Sequence, residues 1–224
     1  MERSSATELM DEWDVDPREL SGNFADIERA NAWFGGIRPV VREVFARPDV
    51  RRILDVACGS ADVPRALLGE ARRRGRQLEI VALDRSEAVL EVARARSKSE
   101  PALTFACADA AALPFADGGF DVVTCNLALH HFEPPAAVVL LRELRRVARV
   151  APLVCDLRRS RAGYAAARVF VTLFARNRLT KHDAPLSVRR AYTPREALGL
   201  ALRAGWRAPR VQSYPFFRMV LRDG

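Results

Sequence analysis

Apolar positions along the chain follow two rhythms, and the change between them falls near Arg51. Before it the spacing is helical: in the run 24–34, Phe24, Ile27, Ala30 and Phe34 share one face. Gly35 and Gly36 predict the end of that helix, and the stretch 39–45 predicts a second, shorter one. Residues 1–50 therefore read as a helical cap. After Arg51, short apolar runs at 53–56, 79–83, 103–108, 120–125 and 153–155 predict five strands. Helices are expected between them over 62–74, 86–98 and 136–148, with Asp62 and Ser86 as N-caps and Gly75 as a stop. Past Asp156 the rhythm breaks into a mostly helical insertion at 158–192, followed by a helix near 194–204. Two closing strands, near 208–213 and 216–222, are joined across Pro215, a connection short enough for a hairpin. This order predicts an α/β domain over 51–224. Its mostly parallel seven-stranded sheet carries an antiparallel carboxyl-terminal edge strand and helices on both faces.

Composition narrows the class. Apolar residues make up 49% of the 224, enough for a core, yet no apolar run approaches the roughly 20 residues a membrane helix needs. The stretch 1–13 alternates charges with small residues and lacks the apolar centre of a secretory signal. Cys58, Cys107, Cys125 and Cys155 lie far apart, and the three histidines do not complete a metal-ligand pattern. The expectation is a cytoplasmic protein with unpaired thiols and no metal. Net charge is −5 over residues 1–50, +2 over 51–150 and +11 over 151–224. The basic last third could face an anionic partner. Only Lys98 and Lys181 are lysines, however, so a general preference for arginine accounts for much of the surplus.

The polar residues collect where chemistry is expected. In an open α/β sheet, ligands bind beyond the carboxyl ends of the strands. Asp55 and the turn Ala57-Cys58-Gly59 follow the first strand; Asp84, Asp109, Asn126 and Asp156 end the next four. Asp84 is placed to accept hydrogen bonds from both hydroxyls of a ribose. Asp109 beside Ala110 could take an adenine amino group, or simply form an Asx turn. A dinucleotide site needs G-x-G-x-x-G so that backbone amides hold a diphosphate. Here Ala57, Gly59 and Asp62 stand at those positions, and the carboxylate of Asp62 would repel the phosphates. An adenosine ligand without phosphates has no such conflict.

Four segments in order carry a resemblance. The run 53–62 (ILDVACGSAD) resembles motif I of the class I S-adenosylmethionine-dependent methyltransferases, of the type 11 or 25 group. The run 81–86 (VALDRS) resembles their ribose-binding motif. Ala108-Asp109-Ala110 with Leu113-Pro114-Phe115 is similar to the adenine loop, and 120–132 to motif IV. The resemblance implies a Rossmann-like methyltransferase fold. It also implies S-adenosylmethionine as cofactor, lined by Asp55, Ala57, Cys58, Gly59, Asp84, Arg85, Asp109, Ala110 and Asn126. Ala57 and Ala61 replace two motif glycines, and a methyl at 57 is expected to fit with a negative φ. The L-x-P-G-G turn usual after the fourth strand's helix is absent; 144–152 (LRRVARVAP) stands there.

The acceptor side is less constrained. His130 follows Asn126 by four residues and is the candidate general base or acceptor-orienting group, with His182 a second candidate. Trp33, Phe34, Tyr164, Phe170, Phe174 and Tyr192 could wall a small-molecule pocket, with Asp156 beside the methyl site and one arginine among Arg158, Arg159, Arg161, Arg189 and Arg190 pairing with an acidic acceptor. The expected reaction is O-methylation of a phenolic or acidic, polyketide-like metabolite. The alternatives are C-methylation of a quinone or aromatic ring, or methylation of nucleic acid. The last is disfavoured, because Asn126-Leu127-Ala128-Leu129 is not the Asn/Asp-Pro-Pro-aromatic turn that grips a base amine.

Overall fold

In the computed structural model, residues 1–11 and 16–224 are described; Trp13, at the end of the stretch read for a leader, lies outside them. Seven strands form one sheet: β1 (Arg52–Val56), β2 (Glu79–Asp84), β3 (Leu103–Cys107), β4 (Phe120–Asn126), β5 (Ala148–Leu157), β6 (Pro209–Tyr214) and β7 (Arg218–Asp223). Their spatial order is β3-β2-β1-β4-β5-β7-β6. The first five are mutually parallel, while β7 runs against both of its neighbours. The expected hairpin thus inserts β7 beside β5 and leaves β6 outermost. Chain order reverses between β1 and β4, and a crevice opens at the carboxyl ends of such a pair.

The central strands β1, β4 and β5 are buried on both faces along most of their length. Along β1, Ile53 joins one core and Leu54 the other, and Leu153, Val154 and Cys155 alternate likewise in β5. One core is completed by α2 (Arg38–Phe45), α3 (Asp62–Arg73) and α4 (Glu87–Arg96), through Val44, Leu67 and Leu90. The other takes Leu140, Leu141 and Leu144 of α5 (Pro134–Val147) and Leu200 of α8 (Pro194–Arg203). Ser86 caps α4, accepting from Val89 N–H at 3.4 Å, and Thr193 with Glu196 forms a capping box on α8. No loop replaces the missing L-x-P-G-G turn: α5 ends at Val147 and β5 begins at Ala148.

The insertion folds as α6 (Arg161–Leu173) and α7 (Arg178–Arg190). Against it lies α1 (Pro17–Phe34), which Gly35 ends with φ +61°. Its buried side differs from the apolar stripe expected. Phe24 is buried, but so are Asn23, Asp26 and Asn31. Asn23 accepts from Thr180 Oγ1 at 2.8 Å, and Asp26 accepts from the N–H groups of Arg176 and Asn177 at 3.2 Å. The helix is therefore held to α7 by hydrogen bonds as much as by apolar packing.

Candidate functional site

The turn after β1 is wound more tightly than the sequence indicated. Ala57, Gly59 and Ala61 all sit in the left-handed region, at φ +56°, +52° and +59°, so the negative φ expected at Ala57 is not adopted. The reason is length: the chain must pass from β1 into α3 within five residues. Cys58 N–H meanwhile stays bonded to Leu83 O at 2.9 Å. Asp62 is not the N-cap either. Ala61 holds that place, and Asp62 is the first helical residue, accepting from Val63 N–H at 2.9 Å and from Asn31 Nδ2 at 2.8 Å. A carboxylate thus occupies the amide-rich helix start where a diphosphate would have to bind.

Asp84 closes the other side of this turn. Its Oδ2 accepts from Gly59 N–H and its Oδ1 from Ser86 N–H, both at 3.2 Å. Each oxygen keeps a further lone pair, enough for two ribose hydroxyls. Burial pushes its pKa up, against these backbone donors. A Cβ on Gly59 would come within 3.0 Å of Phe24 Cε1, so α1 lies directly over the turn. Asn126, at the end of β4, points a buried Oδ1 that has no hydrogen-bond partner among the described residues. An unsatisfied buried acceptor at the end of β4, with the spare lone pairs of Asp84 at the end of β2, fits a ligand with hydroxyl and ammonium donors, as S-adenosylmethionine has.

The remaining cofactor candidates separate. Asp109 is exposed, with Oδ1 accepting from Ala111 N–H at 2.8 Å, so the Asx turn is formed and Ala110 is buried beneath it. Arg85 is exposed and reaches Asp11 Oδ1 at 3.7 Å, tying the loop after β2 to the amino-terminal segment. Asp55 does not face the crevice. It is buried under the turn, accepts from Thr124 Oγ1 at 2.6 Å, and burial raises its pKa to about 7. The Cys58 thiol is also buried, which raises its pKa and leaves it unreactive.

On the acceptor side the structure joins His130 to Asp156. His130 Nδ1 lies 2.7 Å from Asp156 Oδ1, and His130 N–H donates to Oδ2 at 2.9 Å. Asp156 is only 1% exposed, so it positions His130 and cannot itself hold an acceptor. Burial acts to raise its pKa, but His130 and the backbone donors outweigh burial and hold it below the usual range. The other nitrogen of His130, Nε2, faces Glu8 at 3.7 Å and not an open cleft, which argues for an orienting role over that of a free base. Tyr192 is buried as well. Its hydroxyl donates to Phe132 O at 2.7 Å and burial raises its pKa to about 12, so it braces the loop; the cavity it borders is one it shares with Arg3, Glu133 and Arg195. His182 is exposed and bonded to its neighbour Asp183 at 2.7 Å.

Trp33 and Phe34 do come together with aromatic residues of the insertion. Phe34 meets Phe170 and Phe216 at ring distances of 5.7 and 5.2 Å, and Trp33 meets Phe174 at 5.2 Å. Phe216 sits in the β6–β7 turn next to Phe217, whose carbonyl accepts Arg158 N–H at 2.6 Å. Among the five arginines, Arg190 holds the carbonyls of Ala6, His130 and His131, and Arg159 pairs with Glu196 at 2.6 Å. Arg158 has a buried Nε without a described partner and only a long contact, 3.4 Å, to Ser213. The residue sequence reasoning missed is Glu8, which no motif marks.

Residues 53–150 match the model of the methyltransferase-domain family, and the fold is shared with solved S-adenosylmethionine-dependent methyltransferases. The chain is 31% identical over 146 residues to a demethylmenaquinone methyltransferase of Beutenbergia cavernae, covering 61% of this chain and 56% of that one. A crystal structure of an S-adenosylmethionine-dependent methyltransferase from Aquifex aeolicus superposes with a TM-score of 0.65 at 17% identity, covering 93% and 98% of the two chains. The PigF structure with S-adenosylhomocysteine gives 0.64 at 16%, covering 92% and 59%. The chain spans about half the length of the curated relatives it matches, 44% to 56% of the first few. No helix among the described residues is long and apolar enough to cross a membrane.

Proposed function

We propose that this protein transfers the methyl group of S-adenosylmethionine to a small aromatic acceptor, a hydroxylated or quinone-type ring. The observation that carries the cofactor half is Asp84, tied to Gly59 N–H, with Asp62 closing the helix start to phosphates. Bound there, S-adenosylmethionine supplies an electrophilic methyl group on a sulfonium. The chain's part is to hold the nucleoside between Asp84 and the 57–61 turn, to present Asn126 Oδ1 to the ligand's donors, and to exclude water beneath α1. Such transfers gain most of their rate from proximity and alignment. His130, fixed by Asp156, orients the acceptor side of the site.

The aromatic group of Trp33, Phe34, Phe170, Phe174 and Phe216, whose neighbour Phe217 is bonded to the Arg158 backbone, supports a flat, partly anionic acceptor. The demethylmenaquinone relative draws the reading toward a quinone-type ring and away from a polyketide-like phenol. The test is methyl transfer from labelled cofactor to hydroxylated naphthoquinols, phenols and aromatic acids, with the product's methylated atom assigned by NMR. Turnover of one ring class above the others supports the proposal. Transfer to nucleic acid alone, or to none of the rings, rejects it.

A further inference from the structure

The amino-terminal segment lies across the mouth formed by β4 and β5. Arg3 donates to the carbonyls of Arg190, His130 and Phe132 at 2.8, 3.2 and 2.9 Å, and Ser4 N–H donates to Arg189 O at 3.1 Å. Further on, the N–H groups of Leu9 and Met10 are taken by the Asp183 carboxylate at 2.8 and 3.0 Å. Between these anchors Glu8 turns inward. It is 1% exposed, and its Oε1 has no hydrogen-bond partner among the described residues.

Two imidazoles face it. His130 Nδ1 is held by Asp156 at 2.7 Å and His131 Nδ1 by Asp11 at 2.8 Å. A carboxylate partner places the ring proton on Nδ1 and leaves the lone pair on Nε2, the arrangement that metal-bound histidines use. Both Nε2 atoms point at Glu8, 3.7 Å from Oε1 and 3.9 Å from Oε2. One ligand atom from each of the three residues lies within 4.8 Å of the others. These separations are too long for hydrogen bonds. A tetrahedral cation with bonds of about 2.0–2.1 Å separates its ligands by about 3.3 Å, so closing the three residues by between about 0.4 Å and at most about 1.5 Å would seat one.

We propose that Glu8, His130 and His131 form a site for a divalent transition cation of the zinc type. Two imidazoles and one carboxylate are the donor set such ions prefer over magnesium or calcium. Three protein ligands leave a fourth position open. Arg190 Nε lies 3.8 Å from Glu8 Oε1, but its donors go to the carbonyls of Ala6, His130 and His131. It shapes the loop around Glu8 and leaves Oε1 without a hydrogen bond, while Ser187 interacts with the same carboxylate. The cation would join the amino-terminal segment to the β4–β5 mouth, a link invisible in the sequence because its carboxylate ligand lies far from both histidines along the chain.

Chelator-stripped protein is titrated with Co²⁺, read by its visible d–d absorption, and with Zn²⁺ by calorimetry. One cation per chain is expected, with the spectrum of four- or five-coordinate cobalt and no sulfur charge-transfer band. Glu8→Gln and His131→Gln should each weaken binding at least about 100-fold. Asp11→Asn, which leaves all three ligands in place, should weaken it by about 10–100-fold through loss of ring orientation. Cys107→Ser and His182→Gln, at the exposed thiol and exposed imidazole, should leave it unchanged. Circular dichroism of each variant establishes that it is folded. Absence of stoichiometric binding by wild type overturns the proposal. So does binding that survives both ligand substitutions or is lost in Cys107→Ser.

Discussion

Ala57 and Ala61 carry methyl groups at backbone angles that favour glycine. A non-glycine residue in that region costs on the order of 1 kcal/mol. Ala57→Gly should therefore leave cofactor binding intact and raise unfolding stability by up to about 1 kcal/mol, less the entropy glycine adds to the unfolded chain. Urea denaturation measures it, and a clear loss of stability would mean the alanine methyl packs favourably. Gly59→Val is the opposite case, since φ is +52° and Phe24 already stands 3.0 Å from the Cβ position. It should abolish cofactor binding. Asp84→Ala should weaken binding by about 2–3 kcal/mol, because two hydrogen bonds to a carboxylate are lost together. Short motifs of neighbouring residues marked these positions, although not the positive φ of Ala57 nor the bond from Gly59 to Asp84. Asp55 was misplaced for the converse reason: its partner, Thr124, lies on another strand.

α1 shows what an apolar pattern leaves out. Its carboxyl end was readable from Gly35, but its buried side is fixed by Asn23, Asp26 and Asn31, whose partners lie in α7, in the turn just before it, in α3 and in β7. Asn31 donates to Asp62 at 2.8 Å and accepts from the buried Arg218 at 2.7 Å. Asn31→Ala leaves both charges without that neighbour and should cost about 2–3 kcal/mol in thermal or urea unfolding. A change under about 0.5 kcal/mol, the range of ordinary surface substitutions, would mean α1 is held by its apolar contacts alone. The insertion's arginines divide similarly. Arg158→Ala should raise the acceptor KM about tenfold with cofactor affinity unchanged, whereas Arg190→Ala should lower stability, because it releases three carbonyls. Equal effects of the two on KM would reject Arg158 as the anchor.

At the scale of the molecule, the strand–helix alternation determined the sheet, and the structure adds which strands neighbour one another. Several arginines of this basic chain are built into the fold as ion pairs. Arg65 and Arg96 meet at Glu28, Arg145 meets Asp223, and Arg222 meets Glu43. A buried carboxyl with a raised pKa leaves a signature here. Asp55 titrates near 7 in the folded state, against 3.8 as its ordinary value. Its contribution is complete below that ordinary value and is lost as pH rises toward 7. Asp55→Asn should therefore flatten the stability–pH curve between about 4 and 7, and an unchanged slope in denaturant titrations would contradict the buried placement. The central claim is that the crevice holds an adenosyl ligand without phosphates. Calorimetric titration with S-adenosylhomocysteine and with NAD in parallel tests it most directly. The account predicts one site per chain for the first, lost in Asp84→Ala, and no heat from the second. Binding of NAD at comparable affinity, or S-adenosylhomocysteine binding indifferent to Asp84→Ala, would contradict it.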